Sequence, residues 1–395
     1  ASLVGLALAV AMQSSNRKYL PRLDMLRAVA AWWVVLHHCF TMIPKSMLAE
    51  TTWTDSLNPL PVVVTAPWIP LTLFMVVSGY SIGRGLSGHD VRWRGYLTAR
   101  ILRVGPLYWL LLALGVLTGA RTVAQYLGIE QESPWTFLEA VLMVPTTSAY
   151  TPFPWLATAW SVRIEVVLYL FVPALVWVLR RWRPVRAVIA IVAGCLVIIA
   201  VPLLAGADAW AVLYANVPGR LLEFAGGLLL AYLGPRGVAR TTAVRCLAVA
   251  LLVMVTMAYV SNHSGGVHAM PGTVRGVLYT GGLVVALLLV LWAEADHVHG
   301  THPVARGLVR LGQWSYSTYL WHFTVLAFIA VPLSARMTIA WNLPVWPHLL
   351  IGTLLTVALT VPLSFASFRW IETPFLGLRP HYVVPAPQAS AQSQR

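Results

Sequence analysis

Arg27-Ala28-Val29-Ala30-Ala31-Trp32-Trp33-Val34-Val35-Leu36-His37-His38 sets ionisable side chains at both ends of the first long apolar run of the chain. At about 100° and 1.5 Å per residue, the eleven steps from Arg27 to His38 close on about three whole turns. The two therefore share one helix face, with His38 about 16 Å deeper than Arg27. His37 falls on another face. Charge and imidazole are costly inside a membrane span and mark function by default. The stretch reads as a membrane helix with an arginine near its mouth and a histidine at mid-depth, a site entered from one side of a bilayer.

The whole composition points the same way. Of 395 residues, 58% are hydrophobic and 10% charged, with a mean hydropathy of +0.74. Soluble domains carry about 25% charged residues. Ten apolar spans can be marked, at 24–42, 62–83, 97–119, 158–179, 186–204, 212–233, 243–260, 274–293, 311–332 and 346–369. The expected fold class is all-α, a polytopic membrane helix bundle of about ten transmembrane helices. A net charge of +14 invites a nucleic-acid reading, but the arginines fall in short loops between apolar runs. Sorted by side, 21 of the lysines and arginines lie on the side of the N-terminus and 6 on the other. By the positive-inside rule both termini are cytoplasmic, and no nucleic-acid partner is expected. Cys39, Cys195 and Cys246 lie in or beside apolar runs without metal-ligand spacing, as reduced structural thiols do.

Residues 1–21 read as an N-terminal extension, 22–376 as the membrane domain and 377–395 as a disordered tail with too little apolar material to pack. The segment from Arg121 to Leu156, with Glu130, Glu132 and Glu139, is the longest outside loop and offers a surface helix or lid. No internal repeat stands out of the kind inverted-repeat transporters show.

Counted from the charges that anchor each span, His38, Glu165, Arg220, Glu223 and His322 reach a common depth about 18 to 24 Å above the inner face. Ser315, Tyr319 and His322 follow 4,3 spacing and share a face. Arg220 and Glu223, three apart, read as a mutually neutralising pair. Below the layer lie Arg27, Arg100 and Arg103. The last two again share a face, and arginine offers planar paired donors to phosphate, so a polyanion fits there. Asp24 pairs with Arg27 or caps its helix.

These residues resemble the acyltransferase-3 family of integral membrane O-acyltransferases. The matching stretches are Arg22-Leu-Asp-Met-Leu-Arg27 with its spacing to His38, Ser78-Gly79-Tyr80, and Arg100-x-x-Arg103 with Pro106-Leu-Tyr108-Trp109. They continue with Trp160-Ser-Val-Arg-Ile-Glu165 and Tyr169, Arg220-Leu-Leu-Glu223-Phe-Ala-Gly226, Gly312 to His322, and Ile371-Glu372-Thr-Pro374. In the Trp160 motif, relatives often carry two consecutive acids, or an acid followed by Gln-Phe-Tyr, where this chain keeps Glu165 and Tyr169 without the polar residue between, and Arg163 is unusual. The resemblance implies a stand-alone member of the bacterial cytoplasmic membrane, without the hydrolase-like domain some relatives append.

It also implies acyl-CoA, acetyl-CoA first, as donor and co-substrate, with no metal. Arg27, Arg100 and Arg103 would hold the CoA phosphates. His38 would act as general base on the acceptor hydroxyl, and Glu165 would orient the imidazole or the acceptor. Trp160, Ser315, Tyr319 and His322 would line the acceptor site, and Glu372 would pair with a donor-side arginine. The acceptor expected is a carbohydrate, glycolipid or macrolide-type small molecule. The alternative is a secondary transporter or exporter that uses the same ionisable layer as a relay.

Overall fold

Each of the ten apolar spans carries a helix in the computed structural model, which describes residues 20–41, 66, 68–118, 134–145, 154–263, 272–295, 302–341 and 345–385. The chain order is α1 (Pro21–Thr41), α2 (Trp68–Leu86), strand β1 (His89–Val91), α3 (Trp93–Leu117), α4 (Pro134–Val141) and a 3-10 turn (Pro154–Ala159). There follow α5 (Trp160–Arg181), α6 (Pro184–Leu204), a π turn (Ala211–Ala215), α7 (Val217–Leu233), α8 (Arg240–His263) and α9 (Gly272–Glu294). Then come α10 (Pro303–Gln313), α11 (Ser315–Val325), a π turn (Leu326–Ala330), α12 (Val331–Trp341), α13 (Val345–Ser367), a π turn (Phe368–Glu372), α14 (Thr373–Gly377) and β2 (Val383–Pro385). Residues 1–19, Glu130 and Glu132 lie outside the described residues.

Among the described residues, eight helical segments are long and apolar enough to cross a membrane. α6 is the most apolar, with a mean hydropathy of 3.0 over its window. Val185, Ile189, Leu196, Val197 and Val201 on it face outward, which water would penalise and lipid does not. The two remaining spans fall short for local reasons. α1 carries Arg22, Asp24 and Arg27 in its first two turns, and α7 has only 17 residues. The expected continuous span 212–233 is broken at Asn216, whose backbone is extended (φ −134°, ψ 172°). Its side chain accepts the Val217 N–H, and Pro218 opens the next helix. The ninth span also differs: an amphipathic helix, α10, precedes α11 where the sequence reading has a loop.

The tail requires a correction. β2 pairs antiparallel with β1, Val383 opposite Val91 and Pro385 opposite His89. Tyr382 anchors it. Its carbonyl accepts the Arg92 N–H at 2.8 Å, and its ring stands edge-on to Tyr96, 5.7 Å between centroids. Tyr382, seated over Gly95, and the strand pair together hold a segment whose composition reads as disordered; residues 386–395 lie outside the described residues.

α2 and α7 make the most extensive helix–helix contact among the described residues. Gly79 and Gly83 of α2, four apart, face Phe224, Leu228 and Ala231 of α7, while Gly227 of α7 faces Val76 and Tyr80. Small residues at this spacing let membrane helices approach backbone to backbone. A Cβ at Gly227 would stand 2.0 Å from the Val76 carbonyl oxygen. Gly227→Val is therefore expected to lower stability by about 1–3 kcal/mol or more, read as an earlier thermal transition in detergent. Gly226→Val, where a Cβ meets only the Leu283 and Leu287 side chains at 3.4 and 3.8 Å, is the tolerated control.

Candidate active site

α1 presents Arg27 and His38 on one face as its period requires, and two different partners receive them. Arg27 donates from Nη1 to Asp24 Oδ1 and from Nη2 to Ser81 Oγ on α2, both at 2.8 Å. One end of the functional face is thus tied down by an i,i+3 pair and a neighbouring helix.

At the other end, His38 meets His322 of α11. His322 Nε2 lies 3.1 Å from His38 Nδ1, and His322 Nδ1 lies 3.1 Å from the Thr318 carbonyl oxygen. A carbonyl only accepts, so His322 Nδ1 carries the hydrogen and its Nε2 is the acceptor in the neutral ring. His38 then donates from Nδ1, and its basic lone pair is on Nε2. Phe323 stands edge-on to the His38 ring at 5.3 Å, and His37 does so at 5.2 Å. His322 is fully buried, so the ring that orients His38 is itself fixed.

Tyr319, one turn from His322 on α11, has its ring 5.7 Å from the imidazole. Its hydroxyl donates to the Thr158 carbonyl at 2.8 Å and lies 2.7 Å from Ser161 Oγ. These contacts bind α11 to the start of α5. Trp160 instead packs on Tyr214, 5.4 Å between centroids, in an aromatic group with Trp210 and Tyr279. Ser315 is buried about 10 Å along α11 from His322, too far to share its site, so the shared face does not become a shared cluster.

The polar layer resolves into three separate groups. His38 and His322 form the first. Arg220 and Glu223 form the second, paired at 2.6 Å, with Thr72 donating to Glu223 at 2.8 Å. Glu165 belongs to the third: Ser78 donates to it at 2.5 Å, and Tyr169 and Arg100 lie within its reach. Glu165 therefore does not hold the His38 ring. It is four residues from Ser161 on the same face of α5, but one turn, about 6 Å, further from Tyr319.

The arginines meet at the end of the bundle where α3 packs on the C-terminal segment. Arg103 pairs with buried Glu372 at 2.5 Å, and Ser317 donates to the other oxygen of that carboxylate at 2.5 Å. The π turn Phe368–Glu372 carries Glu372 to this place. Arg100 donates to the Tyr382 hydroxyl at 3.0 Å, while its Nε is buried without a partner. Arg379 is a third member that sequence reasoning passes over, because it lies in the apparent tail. Burial, then the nearby Arg103 and Arg100 charges, push Arg379 down to about 10. Three guanidinium groups face two carboxylates, Glu372 paired with Arg103 and Glu165 within reach of Arg100, which leaves one positive charge in excess for a polyanion to answer. Arg27 is not part of this cluster by any contact among the described residues.

The comparisons bear on this geometry. A family model described as an acyltransferase domain matches residues 20–365. A protein of Staphylococcus aureus strain COL named as an O-acetyltransferase is 23% identical over 93% of this chain and 60% of its own length. The O-acetyltransferase OatA of Staphylococcus aureus is 22% identical over 90% of this chain and 57% of its own. A protein of Acidianus two-tailed virus named as an acetyltransferase is 23% identical over 83% of this chain and 91% of its own. The chain thus spans about 60% of the length of the staphylococcal relatives. No solved structure matches it significantly.

Proposed function

The chain belongs to the acyltransferase-3 family, and we propose that it moves an acyl group, acetyl first, from acyl-CoA to a hydroxyl of an acceptor. The observation that carries this reading is the His38–His322 contact, which puts a basic lone pair on His38 Nε2 inside a helix bundle. The names of the relatives support O-acetylation in particular. His38 Nε2 takes the acceptor's hydroxyl proton as the oxygen adds to the acyl carbonyl, and as the carbonyl reforms the carbon–sulfur bond breaks and the leaving thiolate takes that proton from His38. His322 holds the imidazole in the productive tautomer. Acceptors of the carbohydrate, glycolipid or macrolide type all offer such a hydroxyl.

Arg100, Arg103 and Arg379 are the residues that would bind the CoA phosphates, at the end of the bundle we take as cytoplasmic. Arg27 stands nearer the start of the path to His38, where Ser81 and Asp24 orient it. Arg103 is a poor probe, since its loss would strand the buried Glu372. Arg379→Gln leaves no carboxylate orphaned, and Arg100→Gln leaves Glu165 its hydrogen bond from Ser78. Each is expected to weaken acetyl-CoA binding by about tenfold or more, the worth of a hydrogen bond to a charged group. Isothermal titration on detergent-purified protein reads this directly. Absence of acetyl-CoA binding by well-folded wild type would overturn the donor assignment and return the ionisable groups to a transport reading.

A further inference from the structure

Two arginines, Arg163 and Arg220, are completely buried. Their surroundings differ in a way that separates structure from binding. Arg220 donates from Nη1 to Glu223, from Nε to the Tyr214 carbonyl at 2.8 Å, and lies over the Tyr214 ring at 4.5 Å. Its charge is answered within the protein. Arg163 has one hydrogen bond, from Nε to the Tyr108 hydroxyl at 3.0 Å, and both Nη1 and Nη2 are buried without partners. Among the described residues it has no salt bridge. Arginine does not escape by losing its proton. A buried charge left uncompensated is strongly unfavourable, so a guanidinium that the described residues leave in this state calls for a counterion.

We propose that Arg163 is an anion-binding site that takes a carboxylate or phosphate through Nη1 and Nη2. Two coplanar donors, with Nε already committed, match the two oxygens of such a group in a forked pair. The position suits a ligand arriving from the end of the bundle opposite the arginine cluster. Arg163 is seventeen residues, about 25 Å, from Arg180 at the far end of α5. α4 is tied to the same part of the bundle. Tyr108 donates to the Ala140 carbonyl at 3.0 Å and Trp109 Nε1 donates to the Val141 carbonyl at 2.9 Å. The hydroxyl that accepts from Arg163 is thus the same one that holds α4. Ser161, two residues earlier on α5, reaches Tyr319 beside His322, which sets Arg163 about 3 Å along the helix axis from a residue coupled to the dyad. An acceptor bearing an acidic group and a phospholipid headgroup both supply the required chemistry.

Equilibrium dialysis on delipidated protein in neutral detergent tests the site with radiolabelled glucuronate and inorganic phosphate, and with glucose as the neutral probe. A parallel arm uses micelles doped with labelled phosphatidic acid. Wild type is expected to hold one more anion per chain than Arg163→Gln, and Arg163→Lys is expected to retain that anion with affinity reduced about tenfold. Occupancy by glucuronate or phosphate that is lost in Arg163→Gln identifies a soluble ligand, and occupancy by phosphatidic acid alone that is lost in that variant identifies a headgroup; both support the site. Equal anion counts in wild type and Arg163→Gln, or equal binding of glucose, overturn it. If Arg163→Gln fails to fold, wild type and Arg163→Lys decide, and wild type that binds none of the three anions overturns the proposal. No acyl-CoA is present, so the outcome is independent of the donor chemistry assigned to His38.

Discussion

His38→Ala is expected to lower kcat for acyl transfer by about a hundredfold to ten-thousandfold, the usual contribution of a positioned general base. Thermal stability and acetyl-CoA affinity are expected to stay near wild type, because Arg100, Arg103 and Arg379, the proposed donor site, belong to other segments of the chain. Stopped assays of thiol release, with circular dichroism on the same preparation, separate the two effects. The neighbouring ring sharpens the test. His322→Ala removes the acceptor for His38 Nδ1–H but leaves His38 in place, so a smaller fall in kcat is expected, with KM for the donor unchanged. An altered pH–rate profile should accompany it, since His322 fixes which nitrogen carries the lone pair. Full turnover in His38→Ala would remove the histidine from the chemistry. Equal profiles in His322→Ala and wild type would reduce the second ring to packing.

The parts of this site that repeat along one helix were legible in the sequence. The Arg27–His38 period follows from helical geometry alone, and Glu372 was expected beside one of Arg27, Arg100 and Arg103 and pairs with Arg103. The Arg220–Glu223 pair likewise needed only three-residue spacing. Contacts between distant segments were not legible. His38 and His322 are 284 residues apart, and depth counting brought them to one layer without saying which pairs in that layer would touch. Glu165 shared the depth but not the direction. The π turn that delivers Glu372, and the strand that returns Arg379 and Tyr382 to α3, depend on packing that composition does not encode. The break at Asn216 was different: Asn-Val-Pro is a helix-start signal, overridden by reading the apolar run around it as continuous.

The close approach of α2 and α7 explains why one buried ion pair can exist where it does. Gly79, Gly83 and Gly227 bring the two backbones together, and that proximity lets Thr72 of α2 reach the Glu223 carboxylate on α7. Burial of two charges is expensive, and the mutual attraction offsets it only while the geometry is complete.

Glu223→Leu is accordingly expected to destabilise the protein by about 3–5 kcal/mol, the cost of breaking a buried pair from one side. It leaves a fully buried guanidinium without its carboxylate and Thr72 without its acceptor. The double variant Arg220→Met/Glu223→Leu is expected to recover most of that loss, because an apolar pair of similar volume needs no compensation. Thermal unfolding in one detergent, for wild type, both single variants and the double, gives the coupling energy directly. A single variant as stable as wild type would show that the pair contributes no net stability. Recovery of stability without recovery of acyl transfer would move Arg220 and Glu223 from the scaffold into the site, since the fold would then be intact and the chemistry absent.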